Sequence, residues 1–123
     1  MEPERFEELT QEAFDALPDR FREHLENVRI VIEDLPSEEA KSRVGYRDGS
    51  LLLGLYEGIP LTHRTTAYGT APTMPDTITL FRRNIERIAR TEERVREEIR
   101  KTLIHEIAHY YGMDEDEVRA AGF

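Results

Sequence analysis

Ile104-His105-Glu106-Ile107-Ala108-His109-Tyr110-Tyr111-Gly112-Met113-Asp114-Glu115 is the stretch on which the reading of this chain turns. Upstream of it, Thr91 followed by Glu92 and Glu93 reads as the N-cap and first turn of a long helix ending near Tyr111, where Gly112 stops it. Two imidazoles four residues apart on a helix differ by about 6 Å of rise and about 40° of rotation, so both reach one metal ion. Val95, Ile99, Leu103, Ile107 and Tyr110 form one apolar stripe, and Ile104, Ala108 and Tyr111 a second, with His105 and His109 on the face between. A helix with two apolar sides is packed on two sides. The histidines are therefore expected on a central helix, facing a cleft. Glu106 can accept a proton from metal-held water without being a ligand. The bland alternative is a charged, half-exposed helix face. Against it, the chain has only four histidines and two of them fall in this pattern.

The chain of 123 residues contains no cysteine. That excludes disulfides, thiolate metal sites and cysteine nucleophiles, and any metal must be held by His, Asp or Glu. Gly112 lets the chain leave the helix and turn back, which carries the residue three positions later towards the metal. Glu115 occupies that place, and Asp114 and Asp116 flank it as alternatives. Asp114 with Glu117 also reads as the capping box of a last short helix. Zinc suits two imidazoles and a carboxylate, at one ion per chain, although nickel, cobalt or iron fit similar ligands.

Working outward, the length suits one domain spanning residues 1–123. Phe6, Leu9, Ala13, Phe14 and Leu17 recur at three and four, so Pro3 to Leu17 reads as an amphipathic helix. Pro18 interrupts it, and a short helix from Asp19 turns Phe21 and Leu25 inward. Val28 to Leu35 reads as a strand with Val28, Ile30 and Ile32 on one face. Ser37 caps a short helix, Asp48-Gly49 marks a turn, and Leu51 to Tyr56 is a strand or a tight apolar turn. Leu61 to Thr65 is expected to be an edge strand, followed by a loop to Asp76. Thr77 to Phe81 is another strand, and a short helix over Asn84 to Ala89 precedes the long one. His24 reads as a surface residue of the N-terminal helices, and Tyr46, Tyr56, Tyr110 and Tyr111 as packing residues.

The formal charge of -9, from 26 acidic and 17 basic residues, disfavours a dedicated binder of nucleic acid or of anionic membranes. Arg82 to Lys101 carries eight basic residues against five acidic ones. The two signs alternate at helix-pair spacing, which describes a salt-bridged surface. No apolar run approaches the roughly 20 residues of a membrane span, and the acidic N-terminus is unlike a targeting segment. A cytoplasmic location is the expectation.

The stretch from Ile104 to Glu115 resembles the zincin metallopeptidases, and specifically the small bacterial minimal zincins, whose motif is H-E-x-x-H-x-x-G-x-x-D. The resemblance extends to Gly54-Leu55-Tyr56-Glu57-Gly58 with Pro60-Leu61-Thr62, and to Pro75-Asp76 with Ile78-Thr79-Leu80-Phe81-Arg82. It implies metal ligands at His105, His109 and position 115, a catalytic base at Glu106, and hydrolysis of peptide bonds in a peptide or protein substrate. The chain departs from the pattern in having Glu at position 115, where one extra methylene shifts the ligating oxygen. The implied fold is α+β and zincin-like: a small mixed sheet packed against helices, a central active-site helix, and an edge strand above the metal. A substrate backbone can add along Leu61 to Thr65. His63, Arg64 and Tyr68 lie in or beside the loop over this cleft, where one of them can stabilise an oxyanion. The competing function is a zincin-fold module, inactive or weakly active, that binds a protein partner. The short tail after the motif favours that alternative, and intact Glu106 disfavours it.

Overall fold

The computed structural model describes residues 1–23, 25, 27–43, 51–58 and 76–120, the side chains of Arg43, Glu115 and Arg119 excepted. His24, the Asp48-Gly49 turn, the Leu61 to Thr65 strand, the loop up to Pro75, and with them His63, Arg64 and Tyr68, lie outside the described residues.

The elements run α1 (Pro3–Asp15), α2 (Asp19–Arg22), β1 (Val28–Glu33), α3 (Glu38–Arg43), β2 (Gly54–Glu57), β3 (Asp76–Phe81), α4 (Arg82–Ile88), α5 (Glu92–Tyr110) and α6 (Glu115–Ala120). Local chemistry sets several boundaries. Pro3 occupies the first turn of α1, and the Ser37 hydroxyl accepts the Ala40 N–H at 3.0 Å at the start of α3. The Thr91 hydroxyl accepts the Arg94 N–H at 3.2 Å and caps α5. Asp114 and Glu117 form the expected capping box of α6: the Glu117 N–H donates to Asp114 Oδ1 at 2.9 Å, and the Asp114 N–H to Glu117 Oε1 at 3.3 Å.

The three strands make a mixed sheet in the order β1-β3-β2. Strand β3 is central, parallel to β1 with Ile30 opposite Ile78, and antiparallel to β2 with Gly54 opposite Leu80 and Tyr56 opposite Ile78. Its alternation separates two packing surfaces. Ile78 and Leu80 face α1 and α5 in the main core, beside Phe6, Leu9, Val95, Ile99, Leu103 and Ile107. Phe81, with Leu55 on the neighbouring strand, faces Ala40 of α3 on the opposite side. The fold is therefore α+β, with most of its helices on one sheet face.

Helix α5 carries both stripes read from the sequence. Val95, Ile99, Leu103, Ile107 and Tyr110 are each at most 1% exposed, and Ile104 and Ala108 are buried as well. Thr102 and Glu106 are also buried, so a third side of α5 is covered, by strand β2.

Candidate metal centre

Gly54 is what allows β2 to lie against α5. A Cβ at this position would come within 2.5 Å of Thr102 Cγ2, 3.2 Å of the Thr79 carbonyl oxygen and 3.4 Å of Glu106 Cγ. The strand therefore rests directly on the Thr102–Glu106 stripe of the helix. The segment entering β2 is fixed from the other side: Asn84 Nδ2 donates to the Leu52 carbonyl at 2.9 Å, and the Phe81 N–H to the Leu53 carbonyl at 2.9 Å. Asn84 is buried, as a side chain holding backbone in place must be. None of these partners carried a sequence signal beyond a glycine interrupting an apolar run.

His105 and His109 project from the same side of α5, both half-buried, with ring centroids 4.8 Å apart and planes at 78°. Their Nε2 atoms are 3.2 Å apart. Among the described residues, His105, Glu106 and His109 form a group whose potential ligand atoms all lie within 4.8 Å of one another. Glu106 is 8% exposed, so its carboxylate sits beside the imidazoles and out of bulk water.

The His109 tautomer follows from one contact. His109 Nδ1 lies 3.0 Å from the carbonyl oxygen of Met113, which only accepts, so Nδ1 carries the proton and Nε2 keeps its lone pair. Metal-bound histidines are usually oriented in this way, by a hydrogen bond from the other ring nitrogen. The spacing fits too: nitrogens held about 2.0–2.1 Å from one tetrahedral zinc lie about 3.3 Å from each other. The donor set therefore suits a zinc-type ion.

The remaining sequence-derived candidates are distributed as follows. Glu115 is the first residue of α6, three residues past Gly112. Asp114 is exposed and engaged in capping α6, and Asp116 is exposed within that helix. Tyr56, read as a packing residue, also donates its hydroxyl to Asp76 Oδ2 at 3.0 Å while its ring meets the Tyr110 ring edge-on at 5.8 Å. Asp76 is 2% exposed.

A cavity of about 290 Å³ adjoins the centre, with His105 and Glu106 in its wall. Among the described residues no helix is long and apolar enough to cross a membrane. No curated protein matches the chain. A family model does: that of the zincin-like metallopeptidases covers residues 25–122, a span running from the start of β1 through the paired histidines to the end of α6. With the mixed sheet, the long helix and the two facing imidazoles in place, the chain belongs to the zincin-like metallopeptidase family.

Proposed function

We propose that this protein is a zinc-dependent peptidase in which His105, His109 and Glu115 hold the metal and Glu106 is the general base. The observation that carries the reading is the pair of Nε2 atoms 3.2 Å apart, one of them fixed as a lone-pair donor, beside a buried carboxylate. Glu115 is assigned because it is the carboxylate that follows the Gly112 turn by three residues and opens α6.

When bound, the metal supplies Lewis-acid activation of water and of the scissile carbonyl. The chain's own residues do the rest. Glu106 takes a proton from the attacking water on a carboxylate oxygen and returns it to the nitrogen of the leaving amine. Its burial under β2 keeps that carboxylate at a fixed height over the helix, which favours productive geometry. His109 holds its Nδ1 proton on the Met113 carbonyl and so keeps its orientation through the cycle.

The test uses the purified 123-residue chain. Wild-type protein retains about one zinc per chain, and a His105→Ala, His109→Ala double variant retains none. Glu106→Gln keeps the shape and the metal and lowers peptide cleavage about 10²–10⁴-fold. Stoichiometric zinc in the double histidine variant would refute the centre, and an unchanged rate in Glu106→Gln would refute the base.

A further inference from the structure

Strand β1 is an edge of the sheet. Among the described residues it pairs with β3 alone, at the opposite side from β2, the strand that rests on the active-site helix. Two bonds fix the direction of its backbone groups. The Asp76 N–H donates to the Asn27 carbonyl at 2.9 Å, so Asn27, and with it Arg29, Val31 and Glu33 at a spacing of two, turn their polar groups towards β3. The residues between turn theirs outward, as Val28 does in donating to the Leu25 carbonyl at 3.0 Å. Ile30 and Ile32 thus present their N–H and C=O groups along an open edge, without a backbone partner among the described residues.

Beside that edge, between α1 and β1, lies a cavity of about 400 Å³. Half-buried Phe14, Val28, Ile30 and Ile32 give it an apolar floor, and Glu7 and Gln11 of α1 are exposed at its rim. Sheet edges are ordinarily blunted by proline, by a bulge or by charge. Strand β1 has no proline, and its six residues pair with β3 without a bulge. Its charges are Arg29 and Glu33, both exposed on the face away from the cavity, and neither is in a salt bridge among the described residues.

Those two charges select the occupant. An antiparallel strand must set outward-turned residues opposite one another. When β1 meets a second β1, registers centred on Ile30 or on Ile32 place Arg29 and Glu33 against uncharged residues. The register centred on Val31 places Ile30 opposite Ile32 of the second copy, twice, as hydrogen-bonded pairs. It also places Arg29 opposite Glu33 of the second copy, twice, in the pairs whose side chains approach most closely. The sequence Arg29-Ile30-Val31-Ile32-Glu33 is thus complementary to itself when reversed.

We propose that two copies of this chain join β1 to β1 about a two-fold axis at Val31, so that two three-stranded sheets become one. The isoleucines of each copy then cover the apolar cavity floor of the other. The proposal is independent of the metal centre and of peptidase activity.

Sedimentation equilibrium and amide hydrogen exchange on the 123-residue chain test it. The chain dimerises with a dissociation constant of about 10 µM, at the weak end because the contact is one strand and one groove. Between about 1 and 500 µM the Ile30 and Ile32 amides gain about tenfold or more in protection, while the Val31 amide, turned towards β3, is protected throughout. Arg29→Glu alone and Glu33→Arg alone each weaken the dimer about tenfold or more, because like charges then face each other twice. Both changes in one chain restore it, and the two single variants mixed form a heterodimer. Both positions are exposed, so each variant melts as wild type does where all are monomeric. A chain that stays monomeric at every concentration, even one that binds some other strand at this edge, would overturn the proposal. So would a dimer whose Ile30 and Ile32 amides stay open to exchange, or a folded double variant that does not recover.

Discussion

His109 donates its Nδ1 proton to the carbonyl of Met113 at 3.0 Å, four residues along the chain but beyond the end of the helix that carries it. That carbonyl is in reach because Gly112 takes φ of 88°, reversing the chain as α5 ends. The Gly112 N–H then bonds the His109 carbonyl at 2.9 Å, and the Met113 N–H bonds the Ala108 carbonyl at 3.0 Å. The helix terminus and the orientation of a proposed metal ligand are thus one structural device.

Gly112→Ala forces a Cβ into the left-handed region, at a cost of about 1 kcal/mol or more. The turn that presents the Met113 carbonyl loosens, and zinc affinity falls about tenfold, the size of effect seen when such an orienting partner is lost. Gly112→Asn, which tolerates this backbone conformation better, loses less of both. Urea unfolding and competition with a zinc chelator measure the two effects separately. Unchanged affinity in Gly112→Ala would disconnect the turn from the metal centre.

The sequence made α5 and its histidines legible because the 3.6-residue period needs no knowledge of distant segments. The first stripe is buried as read, and of the second Ile104 and Ala108 are buried while Tyr111, just past the helix end, is half-buried. Contacts between segments far apart in sequence were less legible. The two-stripe reading left the Glu106 side of the helix unassigned, whereas Gly54 brings β2 directly onto it, a register between positions about fifty residues apart. Strand β1 was expected to reach Leu35 on its β-branched run. It ends at Glu33 because its partner strand ends at Phe81, where the chain turns into α4. Propensity says where a strand can run, and pairing says where it stops.

Acid should act on the junction between α1 and α5. Arg5 of α1 hydrogen-bonds Glu92 in the first turn of α5, and Arg96 lies 3.8 Å from the same carboxylate. The Arg5 hydrogen bond above all, then the charges of Arg5 and Arg96, hold the Glu92 carboxyl below the ordinary glutamate range. A carboxyl depressed in the folded state stabilises above its unfolded pKa, about 4.3, and loses that contribution as pH falls through the folded value. Glu92→Gln therefore flattens the acid limb of the stability curve below about pH 4.3 and leaves its shape near neutrality unchanged. The pair is solvent-exposed, so added salt shrinks the difference. Urea midpoints across pH at two ionic strengths provide the measurement.

Tyr56→Phe removes the hydroxyl and leaves the ring. The ring stays, and with it the edge-on contact with Tyr110, while Asp76 loses the hydroxyl that donates to Oδ2. Asp76 is 2% exposed, so the lost donor is not replaced by bulk water. The expected cost is about 1–3 kcal/mol, read as a lower urea midpoint with an unchanged slope. A change in slope would instead mean that the strand ends had come apart.

Gly54→Ala tests how closely Glu106 is held. The new methyl would stand 2.5 Å from Thr102 Cγ2 and 3.2 Å from the Thr79 carbonyl, which belongs to the central strand and has little freedom to retreat. The variant should lose about 1–3 kcal/mol as β2 lifts from α5. Thr102→Ser removes the offending methyl, so the double variant should recover about 1 kcal/mol relative to the sum of the single changes. Zinc affinity, assigned above to His105, His109 and Glu115 as a proposal, should change little in Gly54→Ala. Peptide cleavage should fall about tenfold or more, because the displaced strand is the one that lies over the Glu106 stem, where the new methyl would stand 3.4 Å from Cγ. Equal losses in zinc affinity and in cleavage would place the damage in the helix as a whole. Loss of cleavage alone, restored in the double variant, assigns Gly54 to the positioning of Glu106.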